Sequence, residues 1–314
     1  YAAISLISGT VEVTGGSFTG TDLASGYYSG TPYGEWTVYY GEDATLTLKG
    51  GEFPNGFAVA HTTANTLLAE GYAFYDKDGN KITVADDATK IEGYVQVKER
   101  FVASVTDKDG NELEGSPYKT FADAITAASA SEGSTLTLLD DITLTETARI
   151  SSGKFILDLN GKTILNKTDD VLMVYYDANI TIKDSCEGGT VETGGDYCYG
   201  IMNSAELTVE SGTIKGNGSG ISNHGTLTVN GGNFESYTYG AITNKGTAKI
   251  YGGVFEGIDR GEGVQNDGNG EIYIYGGEII GNTALLNTGT AYISGGEFNG
   301  NDYAALNILK GTVE

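Results

Sequence analysis

Chemistry on a polysaccharide calls for carboxylates, arginines or histidines that converge on one spot, so those residues come first. Proton abstraction from a uronate needs an Arg or Lys base beside carboxylates that hold Ca²⁺. The three arginines, Arg100, Arg149 and Arg260, stand at unrelated positions, and only Arg260 is flanked by acids, Asp259 and Glu262. Hydrolysis with inversion needs two carboxylates about 6.5–9.5 Å apart. Asp169-Asp170 and His224 are the residues to weigh, and His61 is isolated. The segment Asp-Lys-Asp-Gly-Asn occurs at 76–80 and again at 107–111. Asp76, Asp78 and Asn80, like Asp107, Asp109 and Asn111, have the look of a Ca²⁺ loop, but the glycine stands fourth, not sixth, and no Glu stands at position twelve. A tight turn accounts for both copies. Cys186 and Cys198 have neither zinc nor redox spacing; they either bridge neighbouring turns of the chain or stay reduced. No catalytic residue, metal ligand or cofactor is assigned.

Aromatic side chains offer a second kind of site. The chain has 21 Tyr against 10 Phe and 1 Trp. Along the repeat described below, the outward slots held by Thr228 and Asn230 are later taken by Tyr251, by Tyr273 and Tyr275, and by Tyr292. Such rings form a platform on which a sugar can stack, with a phenol as hydrogen-bonding handle; equally, they can pack only against each other. Tyr27, Tyr28, Tyr33, Trp36, Tyr39 and Tyr40 form a second group in a loop-like insertion, the kind of segment that carries recognition or caps an end.

What positions the tyrosines is a repeat. Asparagines recur at Asn203, Asn223, Asn244, Asn266, Asn287 and Asn307, and a small-Gly doublet follows each of the first five: Ser211-Gly212, Gly231-Gly232, Gly252-Gly253, Gly276-Gly277 and Gly295-Gly296. Between the marks lie alternating strands such as Leu207-Thr-Val209 and Ile272-Tyr-Ile274. A second inward column reads Ile214, Phe234, Phe255, Ile279, Phe298, and a third reads Ile201, Ile221, Ile242, Val264, Leu285, Ala305. Three short strands per coil of about 20 residues, with period two and no helical period, predict an all-β, right-handed parallel β-helix. Stacked coils put like residues over like, so the asparagines should bond amide to amide along a ladder.

Upstream, Thr135–Leu138, Phe155–Leu159 and Ile180–Ile182 read as looser coils. Phe121, Ala124, Ile125 and Ala128 lie on one helical face behind Thr120 as N-cap, predicting a short helix that covers the open end of the solenoid. Residues 1–61 carry the coil signature twice, in Val11–Phe18 and Thr45–Phe53, and read as terminal coils of a preceding β-helix. Residues 62–117 read as a small β-hairpin junction, and 118–314 as the capping helix with the main β-helix. Ala2–Glu12 also matches Ala304–Glu314 at an offset of 302, which suggests one unit of a tandem array in a longer protein.

With 42 Asp+Glu against 18 Lys+Arg, net −24, the chain would be repelled by nucleic acid and anionic lipid. No apolar run is long enough to span a bilayer, and no signal peptide opens the chain. Glycine at 48 residues with only 3 Pro fits many turns of positive φ.

The stretch Tyr118-Lys-Thr-Phe-Ala-Asp-Ala-Ile125, Leu138-Leu-Asp-Asp-Ile142 and Leu157-Asp-Leu-Asn-Gly-Lys-Thr-Ile164 resembles the opening of pectate-lyase-like right-handed β-helix domains of large Gram-positive, often gut-type, bacterial surface proteins. Ser222-Asn-His-Gly225 and Asp169-Asp170 are each similar to one fragment of the polygalacturonase pattern, whose remaining motifs are missing. The resemblance implies an extracellular or cell-surface setting and contact with a polysaccharide or a host surface glycan or protein. Because this superfamily includes lyases, hydrolases and adhesins alike, the expectation is a non-catalytic stalk or adhesin, with a polysaccharide lyase or glycoside hydrolase as the alternative.

Overall fold

The computed structural model describes residues 3–19, 26–28, 31–33, 37–59 and 62–314. The chain divides into two compact units, 1–100 and 101–314. Residues 62–100, expected to be part of a junction, fold within the first unit, and 101–117 within the second.

The second unit is a right-handed parallel β-helix. One sheet stacks Ser134–Leu138, Lys154–Asp158, Asn179–Lys183, Glu206–Val209, Thr226–Val229, Thr247–Ile250, Glu271–Ile274, Thr290–Ile293 and Thr312–Val313 in that order. Each pair is parallel and in register, as in Leu207 beside Leu227 and Leu227 beside Ala248. The other two strands of every coil build two further parallel stacks, which merge in the long strand Glu278–Asn287. Alternate residues point inward and are buried without exception from Leu207 to Ile274 along the first stack. β-branched and aromatic side chains suit such a surface. The column expected at the second inward position is present: Phe234 stacks on Phe255 at 4.9 Å and 7°, and Ile279 and Phe298 follow in register.

Each coil turns its corner on the second glycine of the doublet. At Gly232 φ is +102°, and a Cβ there would lie 2.8 Å from the Gly212 carbonyl of the coil below. Any side chain would therefore strain the backbone and push the coils apart.

The helix α1, Phe121–Ala130, covers the start of this solenoid. Thr120 Oγ1 accepts from Asp123 N at 3.1 Å, and the buried face is Phe121, Ala124, Ile125 and Ala128, as the sequence predicts. An antiparallel strand, Ala103–Thr106, pairs with Ser134–Leu138 on the same side.

In the first unit, Ile4–Val13 runs parallel to Val38–Leu48, and Ser17 bridges Glu52 in the same sense. Phe18 lies on Phe53 at 5.5 Å, so the two expected coil signatures do stack. An antiparallel sheet of Glu52–Phe53, Val95–Glu99 and Tyr72–Tyr75 completes a separate core around Phe53, Phe57 and Phe74.

Two register expectations need correction. Asn287 lies beside Ile308, not Asn307, and Leu285 beside Leu306, not Ala305. The last coil carries extra residues between Gly300 and Ala304, which the pairing absorbs as a shift after Gly281. Counting back from an asparagine therefore misplaces that coil by one residue, and a one-residue slip turns every side chain over.

Candidate functional site

Tyr251, Tyr273, Tyr275 and Tyr292 do come together. Tyr273 and Tyr292 are register partners on adjacent strands, and their rings stack at 4.7 Å and 12°. Tyr251 and Tyr275 stack in the same way one position over, at 4.8 Å and 11°. Tyr273 lies on the strand Glu271–Ile274 and Tyr275 just past its end, two residues on, hence about 7 Å away in extended chain. The result is a staggered array over three successive coils on the outside of the first sheet, Tyr251 on one coil, Tyr273 and Tyr275 on the next and Tyr292 on the third, with Tyr251 50 % and Tyr275 46 % exposed.

The geometry sets what this array can touch. Coil spacing turns ring faces toward each other along the axis, so ring edges and phenols point outward and the open faces lie at the ends of each column. Below Tyr273 the column continues as Lys249, an exposed cation. The backbone ladder places Ser294 beyond Tyr275, a small residue that leaves that ring face open. Tyr273 Oη donates to Glu271 Oε1 at 2.7 Å; this bond, aided by desolvation and the carboxylate's charge, pushes its phenol up to about 12. The phenol is thereby held in place and neutral.

The asparagine ladder is real over five coils. Asn203, Asn223, Asn244 and Asn266 each donate through Nδ2 to Oδ1 of the next, ending at Asn287, at 2.7, 2.7, 2.8 and 2.7 Å. All five are fully buried, and each also donates to turn carbonyls, as Asn244 does to Gly246 O and Glu271 O. Their role is structural. Asn307 stands outside this column.

The other candidates stay apart. Trp36, His61 and the side chains of Tyr27, Tyr28, Tyr33, Tyr39 and Tyr40 lie outside the described residues. His224 is exposed and occupies the turn position held in later coils by Lys245, Asp267 and Thr288. Asp170 and Glu262 are the carboxyls that burial pushes up. Both belong to one column, through Tyr199, Ser219 and Gly240. Four coil steps separate them, about 19 Å, twice the span of an inverting pair. Asp76 and Asp107 turn inward, each accepting from two backbone amides and from the side chain of Asn80 or Asn111. Those bonds hold both carboxyls below the usual range. Cys186 and Cys198 are unbridged. Among the described residues, no group of three His, Cys, Asp or Glu is placed to hold a metal ion, and no helix is long and apolar enough to cross a membrane.

Sequence reasoning missed three features. Tyr197 and Tyr239 form an exposed pair at a coil corner, 6.5 Å apart and tilted 45°, beside Asp170 and Tyr199. Their sequence contexts differ, so no spacing marked them. Glu192, Lys215, Glu235 and Glu256 form a charged outward column, with Lys215 Nζ 3.1 Å from Glu235; the coil register carries its signal. In the first unit a polar groove of about 420 Å³ runs between the two Gly-Gly turns, lined by Lys49, Glu52 and Gln96, where Gln96 already donates to Glu52 at 3.1 Å.

Protein-family models, curated proteins and solved structures offer no match to this chain. The motif that carries the pectate-lyase-like resemblance has a local physical role instead. Asp158 Oδ1 accepts from Asn160 N and Ser185 N, Lys183 meets Oδ2 at 3.2 Å, and Asn160 sits at φ +49°. Leu157-Asp-Leu-Asn-Gly161 is a coil corner.

Proposed function

We propose that this chain is a non-catalytic module of a secreted or cell-surface protein, a rigid solenoid that contacts carbohydrate through its tyrosine face. The observation that carries the reading is the four-tyrosine array, two stacks offset by one coil on the outside of the first sheet, with Lys249 at its edge. Natural surfaces seldom expose large rings in a cluster without use, and phenols above an apolar ring edge suit a sugar's mixed polarity. The open ring face of Tyr275 over Ser294 is where a pyranose would stack. The pectate-lyase-like resemblance and the surface setting it implies belong to the same proposal.

Glycan-array binding of the wild-type chain against Tyr273→Ala/Tyr292→Ala and Tyr275→Ala tests it. The expected result is a discrete set of bound glycans, weakened about tenfold or more in each variant, equal to ~1.4 kcal/mol. Binding that both variants retain would remove the tyrosine face from the reading. Release of reducing ends or unsaturated uronate from pectic polymers would overturn the non-catalytic assignment.

A further inference from the structure

Tyr197 and Tyr239 belong to coils two apart, and the coil between them is cut low where it passes beneath. This corner runs Asp196-Tyr-Cys-Tyr199 on one coil, Gly216-Asn-Gly218 on the next and Tyr237-Thr-Tyr239 on the third. The backbone steps directly across them: Gly218 N donates to Cys198 O at 2.8 Å, and Tyr239 N donates to Gly218 O at 2.9 Å. Gly216 and Gly218 are buried, and a Cβ on Gly218 would collide with the Tyr197 carbonyl. Two coil steps amount to about 9.6 Å, yet the two rings approach to 6.5 Å with a tilt of 45°. They lean together over the low coil while staying 65 % and 39 % exposed. A tilt of that size is neither stacked nor edge-on, so a wedge stays open between them.

The backbone holds both rings in place. Tyr197 has φ +59°, a region that costs a bulky residue strain and suits glycine. Tyr239 O accepts from Ser236 Oγ at 2.8 Å. A third phenol, Tyr199, is pushed up by burial and by the neighbouring Tyr239 and Asp170, which places it beside the pair. Tyr199 N donates to Asp170 Oδ1 at 2.8 Å and so fixes that carboxyl. The Cys198 thiol is pushed up by burial and by the charges of Asp170, Asp169 and Asp196. Three rings, whose faces are the negative side of a quadrupole, thus share one corner with three carboxylates. A neutral sugar gains little from that potential, whereas a cation gains from every member of it.

We propose that this corner binds a trimethylated ammonium group, seated in the wedge between Tyr197 and Tyr239 with the carboxylates of Asp169, Asp170 and Asp196 nearby. Centroids 6.5 Å apart leave room for one charge within about 6 Å of both, the range over which a ring face attracts a cation. Methyl groups pack on the rings where the tightly held water of a bare ammonium would have to be stripped. The low Gly216-Asn-Gly218 coil supplies the space beneath, and any larger residue at Gly218 would fill it. The site lies at a coil corner away from the Tyr273 face, and it stands or falls independently of the carbohydrate reading.

Titration of the whole chain with choline, followed through the choline methyl resonance, tests the site, with dimethylbutanol as the uncharged isostere. Choline is expected to bind saturably and about fivefold or more tighter than the isostere. Tyr239→Ala is expected to weaken choline by a similar factor, while Tyr239→Phe, which keeps the ring face, should retain it. Tyr197→Gly removes the other ring at a backbone angle that glycine accepts, and should weaken choline likewise. Tyr273→Ala/Tyr292→Ala should bind choline as wild type does. Failure of choline to saturate would overturn the proposal, as would equal affinity for the isostere or undiminished binding by Tyr197→Gly and Tyr239→Ala. Loss of choline in Tyr273→Ala/Tyr292→Ala would overturn it too, by moving the cation to the other face.

Discussion

At the scale of single residues, the buried asparagines show how one side chain can serve three coils. Asn244 accepts from Asn223 below, donates to Asn266 above, and satisfies carbonyls of its own coil and the next. Asn244→Ala leaves several buried partners short, each worth about 1–3 kcal/mol, and is expected to cost ~3 kcal/mol in urea unfolding followed by circular dichroism. Asn287→Ala is expected to cost about half as much, because no amide lies beyond it in the column. Residue type and spacing made five members of this column legible. The sixth was misassigned because extra residues before Ala304 are absorbed in a register shift, and composition carries no signal for where a shift is taken up.

At the scale of the strand, Glu271 and Tyr273 share one outward row, and the hydrogen bond between them holds the Tyr273 phenol neutral. The folded-state phenol is raised to about 12, against about 10 for an unfolded tyrosine. Its contribution to stability is therefore fully present below about pH 10 and is lost as the pH rises through about 12. Alkaline titration of phenolate absorbance, wild type minus Tyr273→Phe, is expected to isolate a group ionising near the upper value. In Glu271→Gln, the same difference should move down toward the ordinary phenol range. The strands and the α1 cap were readable from period, glycine doublets and Thr120. The ring stacking was harder to read. Outward alternation puts tyrosines on one face, but whether their flat sides meet a ligand or each other depends on the 4.7–4.8 Å step between coils, which favours each other along most of the column.

At the scale of the whole molecule, the two units have cores with no residue in common, one around Phe53, Phe57 and Phe74 and one running from Val102 to Ala291. The larger is a stack in which each coil contacts only its neighbours. Calorimetry is expected to show two heat-absorption peaks. Phe255→Ala, which empties part of the long core, should lower only one of them, by about 3–5 kcal/mol of unit stability. A single peak shifted as a whole would show the units to be coupled. The coil signature at residues 11–18 and 45–53 revealed that the first unit also stacks coils, yet the boundary at 100/101 was hidden. The two Asp-Lys-Asp-Gly-Asn hairpins look like a matched pair in sequence but belong to different cores.

The amide column also governs how the molecule ages. Every side-chain amide in it points the same way, from Asn203 toward Asn287. Hydrolysis of one to a carboxylate changes a single heavy atom, yet it replaces a donor with an anion aimed at carbonyl oxygens. Close packing keeps water from these five groups, so slow deamidation falls first on exposed asparagines that precede glycine, such as Asn55 and Asn269, where the solenoid has nothing to lose.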